Sequence, residues 1–251
     1  MKRIDVIRRI FIVCGLFLLL GSFASAKVIE LDYKATFGIF GTVGIIENKL
    51  TQDDKTYEID STVELSGLAK ILLSGQTERY ISKGHMEKGL MVSDFYQMIT
   101  KKKDKVVSKE YNINHKEKYV TKRHRKWFKG KLVKDHTEKL TFYAKDDLLT
   151  LYFNLGTAVD KKGETRIFNA VGLEKQNGQV QITVPDDREV AAYKKDLGEG
   201  ASLYAKALIH QKNFRKKKGD ILLAVGEDRF IYRSVIKDIL FYGDAQLIRV
   251  K

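Results

Sequence analysis

The decapeptide TYEIDSTVEL, Thr56 to Leu65, sets Tyr57, Ile59, Ser61, Val63 and Leu65 on one face and Glu58, Asp60, Thr62 and Glu64 on the other. A period of two with one wet face belongs to an antiparallel strand whose dry face meets a core. The pattern constrains the whole chain because it recurs. Similar runs occupy residues 28–37, 43–51, 76–82, 90–99, 105–114, 139–143 and 165–173, and again 179–184, 202–211, 221–226, 230–240 and 245–250. Asp53-Asp54, Lys83-Gly84, Lys129-Gly130, Asn177-Gly178 and Gly243-Asp244 supply turn residues between many of them. The single proline, Pro185, follows a strand, where a missing N–H does least harm.

Two segments leave this period and read as helix. SGLAKILL (66–73) is short and apolar. In KDDLLTLYFNLG, Asp146 or Asp147 is placed to cap the first turn and Gly156 to end the last, with Leu148, Leu151, Tyr152 and Leu155 on one face. The predicted fold class is therefore mainly β: one large bent antiparallel sheet, a half-barrel or open barrel, with one or two short helices.

The stretch FGIFGTVGIIE spaces Gly38, Gly41 and Gly44 three apart. A dinucleotide loop needs G-x-G-x-x-G between strand and helix, and a P-loop needs G-x-x-x-x-G-K-[ST]. Neither spacing is present, and the residues after Gly44 continue as strand, turn and strand. Glycines within strands mark bulges or close backbone approach, so this segment reads as a kinked hairpin.

The N-terminus bears on compartment. Lys2, Arg3, Arg8 and Arg9 precede an eleven-residue apolar run (10–20) and a small-residue site around Ala24 and Ala26. This is the plan of a secretory signal peptide (1–26) with cleavage after Ala26, leaving one periplasmic β-rich domain over 27–251. At about 1.5 Å per residue the run spans roughly half of a ~30 Å hydrocarbon core, too short for an anchor. Beyond it there is no cysteine, which excludes a disulfide framework, a thiolate metal site and a cysteine nucleophile from 27–251.

The formal net charge of +14 is concentrated: residues 101–136 hold fourteen Lys or Arg against four Asp or Glu. Within them, KYVTKRHRKWFKGKLVKDH reads as a hairpin turning at Lys129-Gly130, with charge on both faces of its first strand. Neither face can be buried throughout, so the hairpin belongs at a sheet edge. Its plain role is edge protection. Its functional role is contact with an anionic membrane surface or lipopolysaccharide through Lys122, Arg123, Arg125 and Lys126, with Trp127 and Phe128 as interfacial anchors. Export argues against nucleic acid as a partner.

Evidence for an enzyme is missing from the sequence. The five histidines, His85, His115, His124, His136 and His210, show no i, i+4 pair and no carboxylate at a recognised metal spacing, so all read as surface residues. Asp53-Asp54, Asp146-Asp147 and Asp186-Asp187 sit where turns and caps want aspartate. No G-x-S-x-G elbow occurs, and no catalytic residue, cofactor or metal is assigned. Leu68, Leu72, Leu148, Leu151 and Tyr152 read most simply as core; in a half-barrel they would line an apolar cavity.

Four stretches taken in order, YKATFGIFGTVGIIE, YEIDSTVELSGLAKILLSGQTERYIS, DDLLTLYFNL and KKKGDILLAVGEDRFIYRSVIKDILFYGDAQLI, resemble the exported bacterial family DUF3108. The resemblance implies a periplasmic β-rich domain similar to the lipoprotein-carrier half-barrels that hold acyl chains, and brings no catalytic residues. The expected function is non-enzymatic: an envelope-maintenance protein binding a lipid or acyl chain in a curved sheet. The alternative is an envelope scaffold that docks by sheet edges or the basic hairpin and has no cavity.

Overall fold

The computed structural model describes residues 26–72, 75–173, 178–209, 219–239 and 243–251. The proposed signal peptide and its cleavage site lie outside the described residues, apart from Ala26. From the N-terminus run β1 (Lys27–Phe37), β2 (Gly41–Gln52), β3 (Thr56–Leu65), β4 (Thr77–Glu87) and β5 (Leu90–Lys102). Next come β6 (Lys105–Asn114), β7 (Tyr119–Phe128), β8 (Lys131–Lys139) and the two-residue β9 (Asp146–Asp147). β10 (Thr165–Val171), β11 (Gln179–Thr183), β12 (Leu203–Ile209), β13 (Gly219–Val225), β14 (Ile231–Ile239) and β15 (Gly243–Arg249) complete the set. Among the described residues the three α-helices are α1 (Gly67–Leu72), α2 (Leu148–Ala158) and α3 (Val190–Leu197).

All fifteen strands form one sheet in the order 8-7-6-5-4-3-2-1-15-14-13-12-11-10-9. Each hairpin pairs with its sequence neighbour, and β1 zips antiparallel to β15, so the two halves of the chain meet at its two ends. The sheet does not close: β8 and β9 are its free ends. It does roll. β9 pairs parallel with β10 and also lies against β5, so one end of the sheet folds back inside while β6, β7 and β8 run past it.

The roll is filled by α2. Thr150, Leu151, Phe153, Asn154, Leu155 and Gly156 are all buried, so the helix is covered all round rather than along one stripe. Leu151 and Leu155 pack with Val180, Ile182, Leu223 and Ile231, while Phe153 packs with Leu31, Tyr33, Leu50 and Ile59 on the other half of the sheet. The helix starts where Asp147 accepts hydrogen bonds from Leu149 N (2.8 Å) and Thr150 N (2.9 Å). Ser82 Oγ (2.6 Å) and Thr150 Oγ1 (2.8 Å) also donate to this carboxylate, and Tyr57 Oη joins both hydroxyls. Asn154 closes another gap. Its amide accepts from Met91 N (3.1 Å) and donates to Met91 O (2.7 Å), satisfying β5 backbone beyond the end of β6.

Three expectations require correction. Gly156 does not end the helix, which runs on to Ala158. A Cβ at 156 would lie 2.3 Å from Arg229 O and 2.7 Å from Val225 Cγ1, so the glycine serves close packing. Residues 139–143 are not a strand: β8 stops at Lys139, and Leu140, Phe142 and Tyr143 turn inward against the Tyr96–Tyr111–Val120 cluster. A third helix, α3, exists. Asp186 accepts from Arg188 N and Glu189 N just before it, and Gly198 at φ 82° ends it. Its Tyr193 and Leu197 pack on Tyr204, Ala224 and Val235. Because Ala224 alternates with the inward Leu223 and Val225, α3 covers the outer face of the sheet.

The glycine-rich hairpin behaves as expected. Gly38 (φ 35°) opens and Gly41 (φ 64°) caps a single 3₁₀ turn between β1 and β2, and the register slips between Ala35 and Thr36.

Candidate ligand cavity and basic edge

Two cavities flank α2 inside the roll. The larger, about 610 Å³, lies toward β1–β6 and is lined by Ile46, Val63, Tyr80, Tyr96, Met98 and Leu149 among others. The smaller, about 250 Å³, lies toward β11–β15 and is walled almost wholly by aliphatic side chains, including Leu155, Ile209, Ile221 and Ile236. Leu148, Tyr152 and Leu247 line both, so only a thin partition separates them.

The sheet supplies the concave wall because its inward positions alternate with outward ones. Residues 221 and 223 of β13 point in, and 222 and 224 point to α3. In the smaller cavity polar groups are few, Tyr152 and Ser234 beside the partition, whereas Asn48, Ser61, Glu78, Thr100 and Lys109 also line the larger. Among the described residues, Tyr152 Oη and Ser234 Oγ are buried without a hydrogen bond of their own. Burial pushes the Tyr152 phenol up, and the neighbouring Ser234 and Tyr33 hydroxyls pull it part of the way back. At the larger cavity's rim, Tyr80 Oη donates to Glu78, and burial with that carboxylate drives the Tyr80 phenol upward.

Of the predicted cavity residues, the fold brings Leu148, Leu151 and Tyr152 to the smaller cavity, and Leu148 and Tyr152 to the larger as well. Leu68 and Leu72 belong to α1, which leaves β3 beside β2 where Ser66 N donates to Val43 O (2.9 Å). Their side chains lie outside the described residues.

The basic hairpin is β7–β8, and β8 is an edge strand exposed along its whole length. Its turn places Lys129 (φ 49°) and Gly130 (φ 75°) in the left-handed region, as a two-residue hairpin turn of primed type requires. Three of the four predicted contact cations already have carboxylate partners. Lys122 pairs with Glu138 (2.9 Å), Arg123 makes a two-point pair with Asp135, and Arg125 pairs with Glu110 while its guanidinium lies 5.3 Å from the Trp127 ring centre. Phe128, Leu132 and Val133 stand half exposed at the turn end of the hairpin. Beside them lies the β5–β6 turn, joined by Lys129 N donating to Asp104 O (2.9 Å). Lys101, Lys102, Lys103, Lys105, Lys129 and Lys131 therefore gather at one end of the sheet, with Asp104 in the same turn.

The histidines were not all legible. His85 and His115 meet one carboxylate, Asp94, with the ligating atoms of all three within 4.8 Å of one another. No linear spacing announces this group, since its members come from β4, β5 and the β6–β7 turn.

No protein-family model matches the chain, and no curated protein matches it. Among solved structures it is similar to a β-barrel-like protein of domain of unknown function DUF1849 from Brucella abortus. The TM-score is 0.49 at 10% identity, covering 88% of this chain and 95% of that one.

Proposed function

We propose that the chain is an exported, non-enzymatic carrier that holds an apolar ligand, a lipid or acyl chain, between the rolled sheet and α2. The observation that carries this reading is the pair of cavities sharing Leu148, Tyr152 and Leu247, the smaller of them aliphatic on nearly every side. The larger falls in the ~300–1,000 Å³ range of small-molecule sites. An acyl chain entering them gains roughly 0.8 kcal/mol per buried methylene before association costs. Its polar head would meet the adjacent hydroxyls of Tyr152 and Ser234. The signal-peptide pattern of 1–26 supports a periplasmic location, and the ordered resemblance to DUF3108 supports membership of an exported family.

Native mass spectrometry of protein exported to the periplasm and purified without detergent tests the reading: a lipid adduct is expected. Ile236→Trp, which fills the smaller cavity, should weaken binding of a fluorescent long-chain fatty acid by at least about tenfold, the loss of two or more buried methylenes. A bare-mass protein that binds no fatty acid removes the carrier function.

The lysine-rich end of the sheet supports a second component, contact with an anionic lipid surface. Lysines near such a surface contribute about 1 kcal/mol each, and the exposed Phe128, Leu132 and Val133 supply the apolar contact. Changing Lys102, Lys103, Lys129 and Lys131 to Gln is expected to cut binding to phosphatidylglycerol vesicles at low salt by more than about tenfold. The set Lys122, Arg123, Arg125 and Lys126→Gln should do less, because three of those cations are already paired. Equal vesicle binding by the first variant and the wild type counts against the surface.

A further inference from the structure

We propose that His85, Asp94 and His115 form a binding site for a divalent transition-metal cation of the zinc class, with three protein ligands and the remaining positions open to water. His85 Nδ1 lies 3.0 Å from Asp94 Oδ2 and 3.1 Å from Oδ1. His115 Nε2 lies 3.2 Å from Asp94 Oδ1. Two ligands bonded at about 2.0–2.1 Å to a tetrahedral ion stand roughly 3.4 Å apart, so these separations are close to those of a ligand set. Two imidazoles and one carboxylate favour zinc or copper over calcium or magnesium, which prefer oxygen alone.

The surroundings are built for the arrangement. Across β4 and β5, Lys83 pairs with Phe95 and Gly84 with Ser93, which leaves Asp94 as the extra residue of a β-bulge. Bulges re-aim a side chain, and here the bulge turns a carboxylate toward His85 one residue beyond Gly84. The close approach depends on Gly84, since a Cβ there would lie 1.9 Å from Val92 O. His115 is held from behind: its Nδ1 lies 2.8 Å from Tyr143 Oη, the outer hydrogen bond that metal-bound imidazoles use to fix the ring. Its Nε2 also faces Ser93 O at 2.8 Å, so in the ion-free protein that nitrogen carries the ring proton, and ligation moves the proton to Nδ1, where Tyr143 Oη can accept it. The two imidazole rings stand edge to face at 5.5 Å between centres. Side-chain exposures of 42%, 48% and 24% for His85, Asp94 and His115 leave an entry path.

A bound ion would tie β4, the β5 bulge and the β6–β7 turn together, fixing the projecting hairpins to the body of the roll. The site is independent of the cavity reading and stands on its own test. The competing account of the same atoms is a pair of ordinary ion pairs around Asp94.

The experiment is calorimetric titration of ZnCl₂ into untagged residues 27–251 stripped of metal, with imidazole nitrogens followed by long-range ¹⁵N–¹H NMR. One ion per chain is expected, with His85 Nδ1 and His115 Nε2 shifting as ligated nitrogens. His85→Ala and His115→Ala should each weaken binding by more than about 100-fold, and Tyr143→Phe, which removes only an outer partner, by about tenfold. His124 and His136 face each other across β7 and β8, so the double variant His124→Asn/His136→Asn is the control and should bind as the wild type does. Absence of binding at millimolar zinc overturns the proposal. Binding that survives in His85→Ala and disappears in the His124/His136 variant overturns it equally. The wild-type NMR spectrum decides the matter even if a variant fails to fold.

Discussion

Replacing Gly84 with alanine is expected to destabilise the protein by more than about 3 kcal/mol and to abolish zinc binding in whatever remains folded. The added Cβ would sit 1.9 Å from Val92 O and 2.9 Å from Tyr57 Cε1. Neither neighbour can give way cheaply. Val92 O is backbone on the paired strand, and retreating means undoing the bulge that sets Asp94. The Tyr57 ring is pinned at its hydroxyl by Ser82 (3.0 Å) and Thr150 (2.7 Å), in the network that anchors α2. Overpacking in a close-packed interior usually costs about 1–3 kcal/mol, and a backbone collision belongs at or beyond the top of that range. Gly89→Ala is the matched control. It has φ 79° and open space around its would-be Cβ, so it should lose only about 1–2 kcal/mol. Urea denaturation with an unchanged m value measures both. A loss below about 1 kcal/mol at position 84 would mean that the strands do not approach as closely as described.

The strands were legible because their faces differ. β3 and β6 occupy the residues read from alternation, and Tyr57, Ile59 and Ser61 are buried as the period of two requires. The hairpin turn at Lys129-Gly130 was legible from composition for the same local reason. What failed depended on distant partners. The position of Gly156 suggested a helix stop, but its meaning lies in Arg229 O, far along the chain. Residues 139–143 alternate like a strand, yet the chain must turn there to carry β9 and α2 into the roll. Even within the hairpin the pairing was hidden. An uninterrupted two-residue turn would set Arg125 opposite Lys134. The irregularity between Lys126 and Trp127 shifts Arg125 to Asp135 and brings Arg123 within reach of that carboxylate. The His85–Asp94–His115 group was invisible for a related reason, because a bulge leaves no mark on spacing when only one sequence is read.

The aspartate pair at the start of α2 gives the second large effect, with a sign opposite to that of most carboxylates. Asp146 is pushed up from 3.8 to about 6, first by burial and then by the neighbouring charge of Asp147, against a smaller pull from Lys145. One of its oxygens, Oδ1, is buried with no hydrogen-bond partner. Asp147 is also raised by burial, although the hydrogen bonds from Ser82 and from the amide and hydroxyl of Thr150 oppose the shift. An acid whose pKa is higher in the folded state binds its proton more tightly there than in the unfolded chain. Its contribution to stability is therefore complete below pH ~4 and is lost as pH rises through about 6. The gap between 3.8 and about 6 corresponds to about 3 kcal/mol. Exposed carboxylates held low by basic partners, such as Glu87 with Lys145 and Asp135 with Arg123, push the total the other way. The difference between Asp146→Asn and the wild type isolates the term. Relative to wild type the variant should gain about 2.4 kcal/mol between pH 4 and pH 7.5, whatever fixed cost the buried amide adds at both. Urea midpoints at the two pH values measure the gain. A difference that stays constant with pH would show that Asp146 ionises in the folded protein as it does in the unfolded chain, and that burial of this carboxylate carries no penalty.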